Sequence, residues 1–367
     1  MKNLRVGILG ATGMVGQNYI SLLENHPWFN VTYVAASPES AGKTYSEAVK
    51  GRWHMDKSIP FAERDLIVGD ANNVESALGK CDFVFSALEL KDKKAIQSLE
   101  ESYASVGLSV VSNASAHRWT EDVPMIIPEI NPNHRDILKY QMKNRGWKGF
   151  IVTKPNCSIQ SYVLPMYALM NMGYTIKSAI ITTAQAVSGA GHPGVSSNDI
   201  IDNIIPHISG EEEKSEREPL KIFGYFDIGT GKIINNEYLK ISARCNRVNV
   251  RHGHMAWVNL KFSGNIKVSS LEDIIDIWES FRAEPQKFNL PSAPKRPIIY
   301  NKDLDRPQPR LDRDNENGMA VTVGNLSKCN VLDIKFTGLS HNTIRGAAGG
   351  AIETAELLVY YGLLKSV

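Results

Sequence analysis

Apolar residues in the first 155 positions fall into short runs that alternate with segments of helical spacing. The run "LRVGIL" at 4–9 precedes "QNYISLLENH", whose apolar positions repeat with a helical period. Later apolar runs end in small residues: "VTYVAAS", "CDFVFSAL" and "LSVVSNAS". Strands that alternate with helices predict βαβ units and a parallel sheet, which binds ligands at the carboxyl ends of its strands.

The pattern changes after Pro155, where longer runs alternate between apolar and polar residues. Such runs predict an antiparallel or mixed sheet with one covered face. They are "SAIITTAQAVSG", "YLKISARCNRVNV", "HMAWVNLKFSG", "MAVTVGNLS" and "NVLDIKFTGLS". We expect a charged surface helix to begin within 207–221, an extended loop over 284–316, and a C-terminal helix from about Gly349. The fold class is therefore α/β followed by α+β.

Length and composition narrow the class of protein. The 367 residues favour two domains, and a formal net charge of +2 gives no reason to expect nucleic acid or a membrane surface as a partner. The sequence contains no apolar run of transmembrane length and no signal-peptide pattern. Four cysteines without a CxxC pair argue against disulfides and a zinc site, so we expect no metal and a cytoplasmic location.

A glycine-rich turn follows the first predicted strand. Gly10, Gly13 and Gly16 form a GxxGxxG pattern, which allows a sharp turn and lets a pyrophosphate approach the start of the next helix. Alone the pattern is weak, since glycines also let a helix pack closely on a strand. Its place at the first strand of a βαβ series favours a dinucleotide site.

The end of the second strand indicates which dinucleotide binds. An NAD site would place an acid there for the ribose hydroxyls, but the strand ends in Ala36 and Ser37, and Lys43 follows in the loop. The nearest acid, Glu39, lies inside the loop. A hydroxyl and a cation suit a 2′-phosphate, so we expect NADP, although Lys43 as a plain solvated lysine is the alternative.

Cys157 stands between an apolar run and a helical run, directly after Lys154-Pro155-Asn156. In the first turn of a helix, a thiol has its pKa lowered by the positive helix end and becomes a nucleophile. The alternative is a small buried apolar residue. Asn156 could donate its amide to a developing oxyanion.

A reactive thiol also needs an acid–base partner. His252 and His254 would share a face if their segment is extended, and either could serve. Four other histidines stand in predicted loops, and the residues alone do not choose among them: His117, His192, His207 and His341.

Several ordered motifs together resemble one family over nearly the whole chain. They are "GATGMVGQ", "SNASAHRWTEDVPMIIPEIN", "KPNCS", "QAVSGAGHPGVSSNDIIDNIIPHISGEEEK", "CNRVNVRHGH" and "NTIRGAAGG". The chain is similar to aspartate-semialdehyde dehydrogenases of the branch typical of archaea and fungi. The resemblance implies an NADP-dependent enzyme that forms aspartate semialdehyde from aspartyl phosphate for lysine, threonine and methionine biosynthesis.

The resemblance also implies roles for individual residues. Cys157 is the nucleophile, His254 is the acid–base, and Arg247 binds the substrate carboxylate. Asn156 and a backbone N–H hold the oxyanion, and Gln185 orients the substrate.

Three further residues complete the implied substrate site. Glu211 holds the substrate amino group, with Glu212 and Glu213 as alternatives, while Lys214 and Arg118 bind phosphate.

The cofactor contacts that the resemblance implies come from both halves of the chain. Expected near the pyrophosphate and 2′-phosphate are Gly10, Thr12, Gly13, Met14, Val15, Ser37 and Lys43; along the adenosine side, Ser86 and Ala87; and near the nicotinamide, Ser188, Gly189 and Asn342.

The resemblance finally implies how the two domains divide the chain. A Rossmann-type NADP-binding domain takes 1–154 and 343–367, since the C-terminal helix returns to it, and a catalytic and dimerisation domain with a mixed sheet takes 155–342. A homodimer or homotetramer is expected, because the long apolar runs of the second sheet need cover.

Three other functions fit parts of the pattern. A malonyl-CoA reductase would need the same cysteine, histidine and NADP turn but no pair of cations for phosphate. An N-acetylglutamyl-phosphate reductase would have no use for an acid at the substrate amino group. A dinucleotide-binding protein without catalysis would need no reactive thiol.

Overall fold

In the computed structural model, which describes residues 3–264 and 270–366, the first half of the chain forms a six-stranded parallel sheet. Its strands are β1 (Leu4–Leu9), β2 (Phe29–Ala36), β3 (Val68–Asp70), β4 (Phe83–Ser86), β5 (Ser109–Ser112) and β6 (Ile151–Thr153). Its helices are α1 (Met14–Leu22), α2 (Tyr45–Ala48), α3 (Lys93–Ser105) and α4 (Ile137–Arg145).

The strand order β3-β2-β1-β4-β5-β6 reverses direction between β1 and β4. In open parallel sheets this switch point opens a crevice at the carboxyl ends of the strands. The predicted Rossmann-type sheet is confirmed, and the ends of β1, β4, β5 and β6 all face that crevice.

The second half forms a seven-stranded mixed sheet and a separate two-stranded hairpin. Its strands are β7 (Ile176–Ala186), β8 (Ile204–Ile205), β9 (Tyr225–Asp227), β10 (Lys232–Ile234), β11 (Lys240–Val248), β12 (His254–Phe262), β13 (Ile298–Asn301), β14 (Val321–Lys328) and β15 (Ile334–Ser340). Its helices are α5 (Val163–Asn171), α6 (Ser197–Ile200), α7 (Glu211–Ile222), α8 (Leu271–Ser280), α9 (Glu284–Lys287) and α10 (Pro309–Asp312).

The mixed sheet has the order β13-β14-β15-β12-β7-β11-β8, and β9 pairs with β10. Strand β7 is antiparallel to β12 and parallel to β11, as the predicted mixed sheet requires. One sheet face carries the core against α5 and α8, where the buried Trp278 indole donates to Pro165 O at 3.0 Å. On the other face, Ile180 and Trp257 remain about half exposed.

The last helix, α11 (Gly349–Tyr360), follows a single π turn at Ile344–Ala348. Ala351, Ile352, Ala355 and Leu358 are buried in the same core as β1 and β4 of the parallel sheet. The helix therefore packs on the N-terminal half, in line with the expected return of the chain.

Two predictions in the second half were wrong in part. Segment 284–316 is not one extended loop, because it contains α9, α10 and the edge strand β13, whose short apolar run lies among charged and proline residues. Helix α7 is not simply a surface helix. Its polar residues at 211, 215 and 218 share one buried face, where they have partners from the Cys157 turn.

Within the described ranges, no helix combines the length and apolar character needed to cross a bilayer.

Candidate active site

A cleft of about 390 Å³ lies where the carboxyl ends of the parallel strands meet the mixed sheet. Met14 and Val15, after the glycine turn, line one end. Cys157, Glu211 and Lys214 line another part of the cleft. Asn342, just before the π turn, and residues of that turn line a third part. Several predicted cofactor residues and several predicted substrate residues therefore border one continuous space.

The cysteine lies in a tight turn directly after β6. Asn156 Oδ1 accepts hydrogen bonds from the backbone N–H and the hydroxyl of Ser158, both at 2.7 Å, which fixes the turn. A short 3₁₀ helix, Ser158–Ser161, follows Cys157, and α5 begins only at Val163. Cys157 therefore stands at the start of a helix, as expected, but this helix is a short 3₁₀ turn that separates it from α5.

The thiol has a histidine partner at close range. His254 Nε2 lies 3.4 Å from Cys157 Sγ, and its other ring nitrogen, Nδ1, accepts the backbone N–H of Ala186 at 3.0 Å. Burial, together with Arg247, His341 and His252, holds the pKa of His254 well below its ordinary value. The ring is therefore neutral at pH 7, and because Nδ1 is an acceptor, the single proton is on Nε2 and faces the sulfur.

The same burial acts against the expected lowering of the thiol pKa. Desolvation and Glu211 raise the pKa of Cys157, and three cations, Lys154, Arg118 and Arg247, oppose this rise. A four-residue 3₁₀ turn supplies little helix dipole, so stabilisation of the thiolate depends on these cations and on the His254 N–H.

Glu211 is the carboxylate at the centre of the substrate side. It accepts Asn156 Nδ2 at 3.1 Å, Gln185 Nε2 at 3.3 Å and Lys214 Nζ at 2.7 Å. Burial favours its neutral form, but these donors outweigh that effect, and the pKa of Glu211 lies below its ordinary value. The other two glutamates point elsewhere, since Glu212 pairs with Arg244 and Glu213 with Arg217.

These bonds place two predicted residues differently from expectation. The Asn156 amide is directed at Glu211, and Gln185 bridges Glu211 and Thr183 from β7. In this structure both residues orient the glutamate.

Two arginines lie near enough to the Cys157 thiol to lower its pKa. Arg118 donates to Glu218 at 2.9 Å and to the backbone oxygens of Lys154 and Asn113, so it is held rigidly at the cleft wall. Arg247, on β11, donates to Ala186 O at 2.7 Å and is buried. A Cβ on Gly189 would lie 2.9 Å from both the Arg247 guanidinium and the His254 ring, so the close approach of this backbone requires glycine.

The glycine turn has the geometry that a pyrophosphate needs. Gly10 has φ +75°, and a Cβ there would lie 2.5 Å from Ala87 O, while a Cβ on Gly16 would lie 2.3 Å from Gly10 O. A Cβ on Gly13 would meet no atom closer than 3.5 Å, and its backbone faces open space at the start of α1. The residues present therefore fit a dinucleotide phosphate group.

The loop after β2 holds the expected 2′-phosphate residues at the surface. Ser37 and Lys43 are exposed, and Lys43 Nζ donates to Glu39 O at 2.7 Å. Ser40 is buried and accepts Arg52 at 3.0 Å. The loop carries no acidic residue at the strand end itself.

Of the residues expected along the rest of the cofactor, four line the cleft and one, Ser86, does not. Ala87, Ser188, Gly189 and Asn342 line the cleft, and Asn342 Nδ2 donates to Ser188 Oγ at 2.8 Å. Ser86 is fully buried and does not line it.

Sequence reasoning assigned no role to four buried charged residues: Glu129, Lys154, Glu218 and Arg345. Glu218 accepts both Arg118 and the backbone N–H of Asn156, the latter at 2.6 Å. Its spacing of seven residues from Glu211 places both on one helix face and could have revealed it. The Arg345–Glu129 pair gave no such local signal, because its two residues are 216 positions apart in sequence. The burial of Lys154 depends on its folded surroundings, which a local pattern does not report.

Comparison with known proteins gives matches over both halves of the chain. Residues 5–137 match the family described as "Semialdehyde dehydrogenase, NAD binding domain", and residues 167–345 match "Semialdehyde dehydrogenase, dimerisation domain". The chain is 44% identical to the aspartate-semialdehyde dehydrogenase of Archaeoglobus fulgidus, with 96% of this chain and 97% of the relative covered. It is 42% identical to that of Schizosaccharomyces pombe, covering 98% and 99%.

A solved structure agrees over the full length. The crystal structure of aspartate semialdehyde dehydrogenase with NADP from Candida albicans superposes with a TM-score of 0.88 at 38% identity and covers 99% of this chain and 100% of that one. The resemblance to archaeal and fungal proteins, predicted from the motifs, is confirmed.

Proposed function

Since the chain belongs to the semialdehyde dehydrogenase family, we propose that it interconverts aspartyl phosphate and aspartate semialdehyde with NADP. The observation that carries this proposal is the Cys157–His254 pair, with 3.4 Å between sulfur and nitrogen, and the cleft that Cys157 lines together with Met14 and Val15, which follow the glycine turn. Through this reaction the enzyme would supply lysine, threonine and methionine biosynthesis.

In the reductive direction, the Cys157 thiolate attacks the acyl carbon of aspartyl phosphate. The bond from that carbon to the phosphate oxygen breaks, phosphate leaves, and a thioester on Cys157 remains. Arg118 and Lys214 bind the phosphate in this proposal, and both are cations that line the cleft together with Cys157. Arg247 binds the substrate carboxylate through its guanidinium, and Glu211 binds the amino group.

Bound NADPH supplies the hydride that reduces this thioester. His254 presents its Nε2 proton toward the reacting centre and transfers it to or from the substrate oxygen as the thiohemiacetal forms and collapses. The collapse breaks the carbon–sulfur bond and returns the thiolate. Since Asn156 is held by Glu211, its amide becomes an oxyanion donor only if the substrate amino group takes its place on the carboxylate.

The cofactor assignment depends on the loop after β2. Ser37 and Lys43 would bind the 2′-phosphate after Lys43 leaves Glu39 O, and Gly10, Thr12 and Gly13 would border the pyrophosphate with Met14 and Val15. Ser188, Gly189 and Asn342 would position the nicotinamide. We assign 1–154 and 343–367 to the cofactor-binding domain and 155–342 to the catalytic domain, so that Arg118 reaches the site from the first domain and Ser188, Gly189 and Asn342 reach it from the second.

The exposed face of the mixed sheet supports self-association as a homodimer or a tetramer of dimers. Ile180 on β7 and Trp257 on β12 are diagonal neighbours, since Ile180 lies opposite Asn259 and Trp257 opposite Thr182. They are 49% and 45% exposed and lie inside the stretch that matches a dimerisation domain. Trp257→Lys should reduce the mass measured by light scattering, whereas Phe61→Lys, which changes an exposed residue of the N-terminal half, should not. An unchanged mass for Trp257→Lys, or a monomeric parent, would contradict the placement of the dimer interface on this sheet face.

Four free cysteines suit the reducing cytoplasm that we propose as the location of the protein.

A substrate panel tests the reaction. We expect NADP reduction with aspartate semialdehyde plus phosphate and none with malonate semialdehyde plus coenzyme A. The reverse preference would identify an acyl-thioester reductase on the same scaffold, and activity with neither pair would leave a binding protein.

A further inference from the structure

Ser188 joins two hydrogen-bonding side chains at the edge of the cleft. It lines the cleft, and its hydroxyl oxygen lies 2.8 Å from Asn342 Nδ2 and 2.9 Å from His252 Nδ1. The proposed function places Ser188 and Asn342 at the nicotinamide but gives His252 no task. The contact therefore connects an unassigned histidine to the cofactor side of the site.

The fold fixes the direction of the bond between Asn342 and Ser188. Asn342 Oδ1 accepts the backbone N–H of Gly253 at 2.8 Å, so the other end of the amide, Nδ2, faces Ser188 and donates to it. Ser188 Oγ is therefore an acceptor toward Asn342. Because Oδ1 faces Gly253, the group that Asn342 offers to a ligand in the cleft is its second N–H.

The direction of the bond between Ser188 and His252 depends on where the histidine carries its proton. A serine hydroxyl donates one hydrogen bond and accepts two. If His252 Nδ1 is bare, Ser188 donates to it and keeps one lone pair for a ligand. If Nδ1 carries a proton, Ser188 accepts from both neighbours, and only its O–H is left. His252 thus decides whether the hydroxyl is an acceptor or a donor toward the cleft.

The surroundings of His252 keep its ring neutral. Charged and titratable groups face the ring from several segments of the part of the chain that the structure describes: Arg251, Arg313, Asp56, Asp314, His254 and His341, whose ring centroid lies 5.4 Å away. Burial lowers the pKa of His252, the two arginines lower it further, and the two aspartates oppose them. A neutral imidazole carries one proton, so one of its two nitrogens is bare at pH 7.

The carboxamide of a nicotinamide requires both a donor and an acceptor from its site. Its carbonyl oxygen accepts hydrogen bonds and its NH₂ group donates them. The free N–H of Asn342 suits the carbonyl oxygen, so the NH₂ group needs an acceptor. Ser188 Oγ provides one only when the serine proton is directed at His252, because a hydroxyl that donates into the cleft would set two donors against each other.

We propose that His252 is a positioning residue whose bare Nδ1 accepts the Ser188 O–H and so makes Ser188 Oγ the acceptor for the carboxamide NH₂ group of the nicotinamide. The single proton of the neutral His252 ring is then on Nε2. This inference rests on the proposed function, which places Ser188 and Asn342 beside the nicotinamide. It adds a second task for the "RHGH" segment, in which His254 faces the thiol.

A cofactor analogue tests the proposal by binding alone. In 3-acetylpyridine adenine dinucleotide phosphate a methyl group replaces the NH₂ group of the carboxamide, and the carbonyl is kept. Isothermal titration calorimetry gives the Kd of NADP and of the analogue without any aspartyl substrate. In the parent we expect the analogue to bind roughly tenfold more weakly than NADP, because the Ser188 acceptor then faces a methyl group.

Variants of His252 separate the proposed role from a general effect on the loop. In His252→Phe the ratio of the two Kd values should fall below about threefold, since the serine proton is no longer directed away from the cleft. His252→Asp should keep the parent ratio, because a carboxylate at this position can only accept. A loosened loop would instead raise both Kd values and leave their ratio unchanged. If His252→Phe does not fold, His252→Leu serves, because it also removes the acceptor.

Two further variants show whether His252 acts through Ser188. Ser188→Ala should lower the ratio as far as His252→Phe does, and combining the two changes should lower it no further. His54→Phe is the matched control, since His54 lines a second cavity together with His252 but stacks on His192, with 4.1 Å between the ring centroids. This variant should keep the parent ratio.

The outcomes distinguish this inference from the proposed function. A parent ratio near one, or the parent ratio retained in His252→Phe, would overturn the role of His252 even if the enzyme oxidises aspartate semialdehyde. If the ratios change as expected but aspartate semialdehyde is not a substrate, this inference stands and the proposed reaction falls. If the parent does not bind NADP, both fall.

Discussion

The phosphate site can be tested through Lys214, whose surroundings in the cleft are well defined. Its Nζ lies 2.7 Å from Glu211 and borders the cleft near Cys157. If it binds phosphate, Lys214→Met removes one charge-assisted hydrogen bond, worth about 1.5–3 kcal/mol. That energy corresponds to a rise of roughly ten- to hundredfold in the KM for phosphate, measured in the oxidative direction by NADP reduction.

The same helix offers a matched control for this prediction. Arg217 stands one turn later on α7, is exposed, and pairs with Glu213 outside the cleft. Arg217→Met should leave the phosphate KM unchanged, and both variants should keep the parent affinity for NADP. If Lys214→Met shows the parent phosphate KM, or if Arg217→Met shows the same rise, the placement of phosphate beside Lys214 is wrong.

Three further predictions concern the thiol, the cofactor and a buried ion pair. Cys157→Ser should bind NADP with the parent Kd in a fluorescence titration and give no measurable turnover, and near-parent activity would refute covalent catalysis. The parent should have a higher kcat/KM with NADP than with NAD, and Lys43→Met should reduce that preference. Equal kcat/KM values for the two cofactors in the parent would show that the loop after β2 does not bind the 2′-phosphate. Arg118→Leu should lower the free energy of unfolding by about 3–5 kcal/mol in urea denaturation, because it leaves the buried Glu218 carboxylate without its cationic partner. A loss below about 1 kcal/mol would show that Glu218 is neutral or that donors such as the Asn156 N–H suffice.

The parallel sheet was predictable because its signals are local. The run at 4–9, the glycines after it and the helix that follows stand next to one another in the sequence, and they keep that relation in the fold. The edge strand Ile298–Asn301 was missed for a related reason, since its apolar run is only four residues long and its charged and proline-rich surroundings are typical of a loop. Its pairing with β14 depends on tertiary contact alone.

The site was predictable as a set of residues but not as an arrangement. Motifs named Cys157, His254 and Glu211, whereas the tautomer of His254 depends on the backbone of Ala186, which is 68 residues away. The pKa of Cys157 was expected to be lowered by a helix end, but burial dominates, and the opposing cations come from three separate segments. Desolvation is a property of the folded surroundings, and no local pattern reports it.

The covalent step on Cys157 is the central claim, and trapping the acyl enzyme tests it most directly. The enzyme is mixed with aspartate semialdehyde and NADP without phosphate, and NADPH formation and intact protein mass are followed together. We predict a burst of NADPH and an aspartyl adduct on the Cys157 peptide that disappears when phosphate is added and never forms in Cys157→Ser. Sustained phosphate-dependent turnover without any adduct, or an adduct on another residue, would contradict the account.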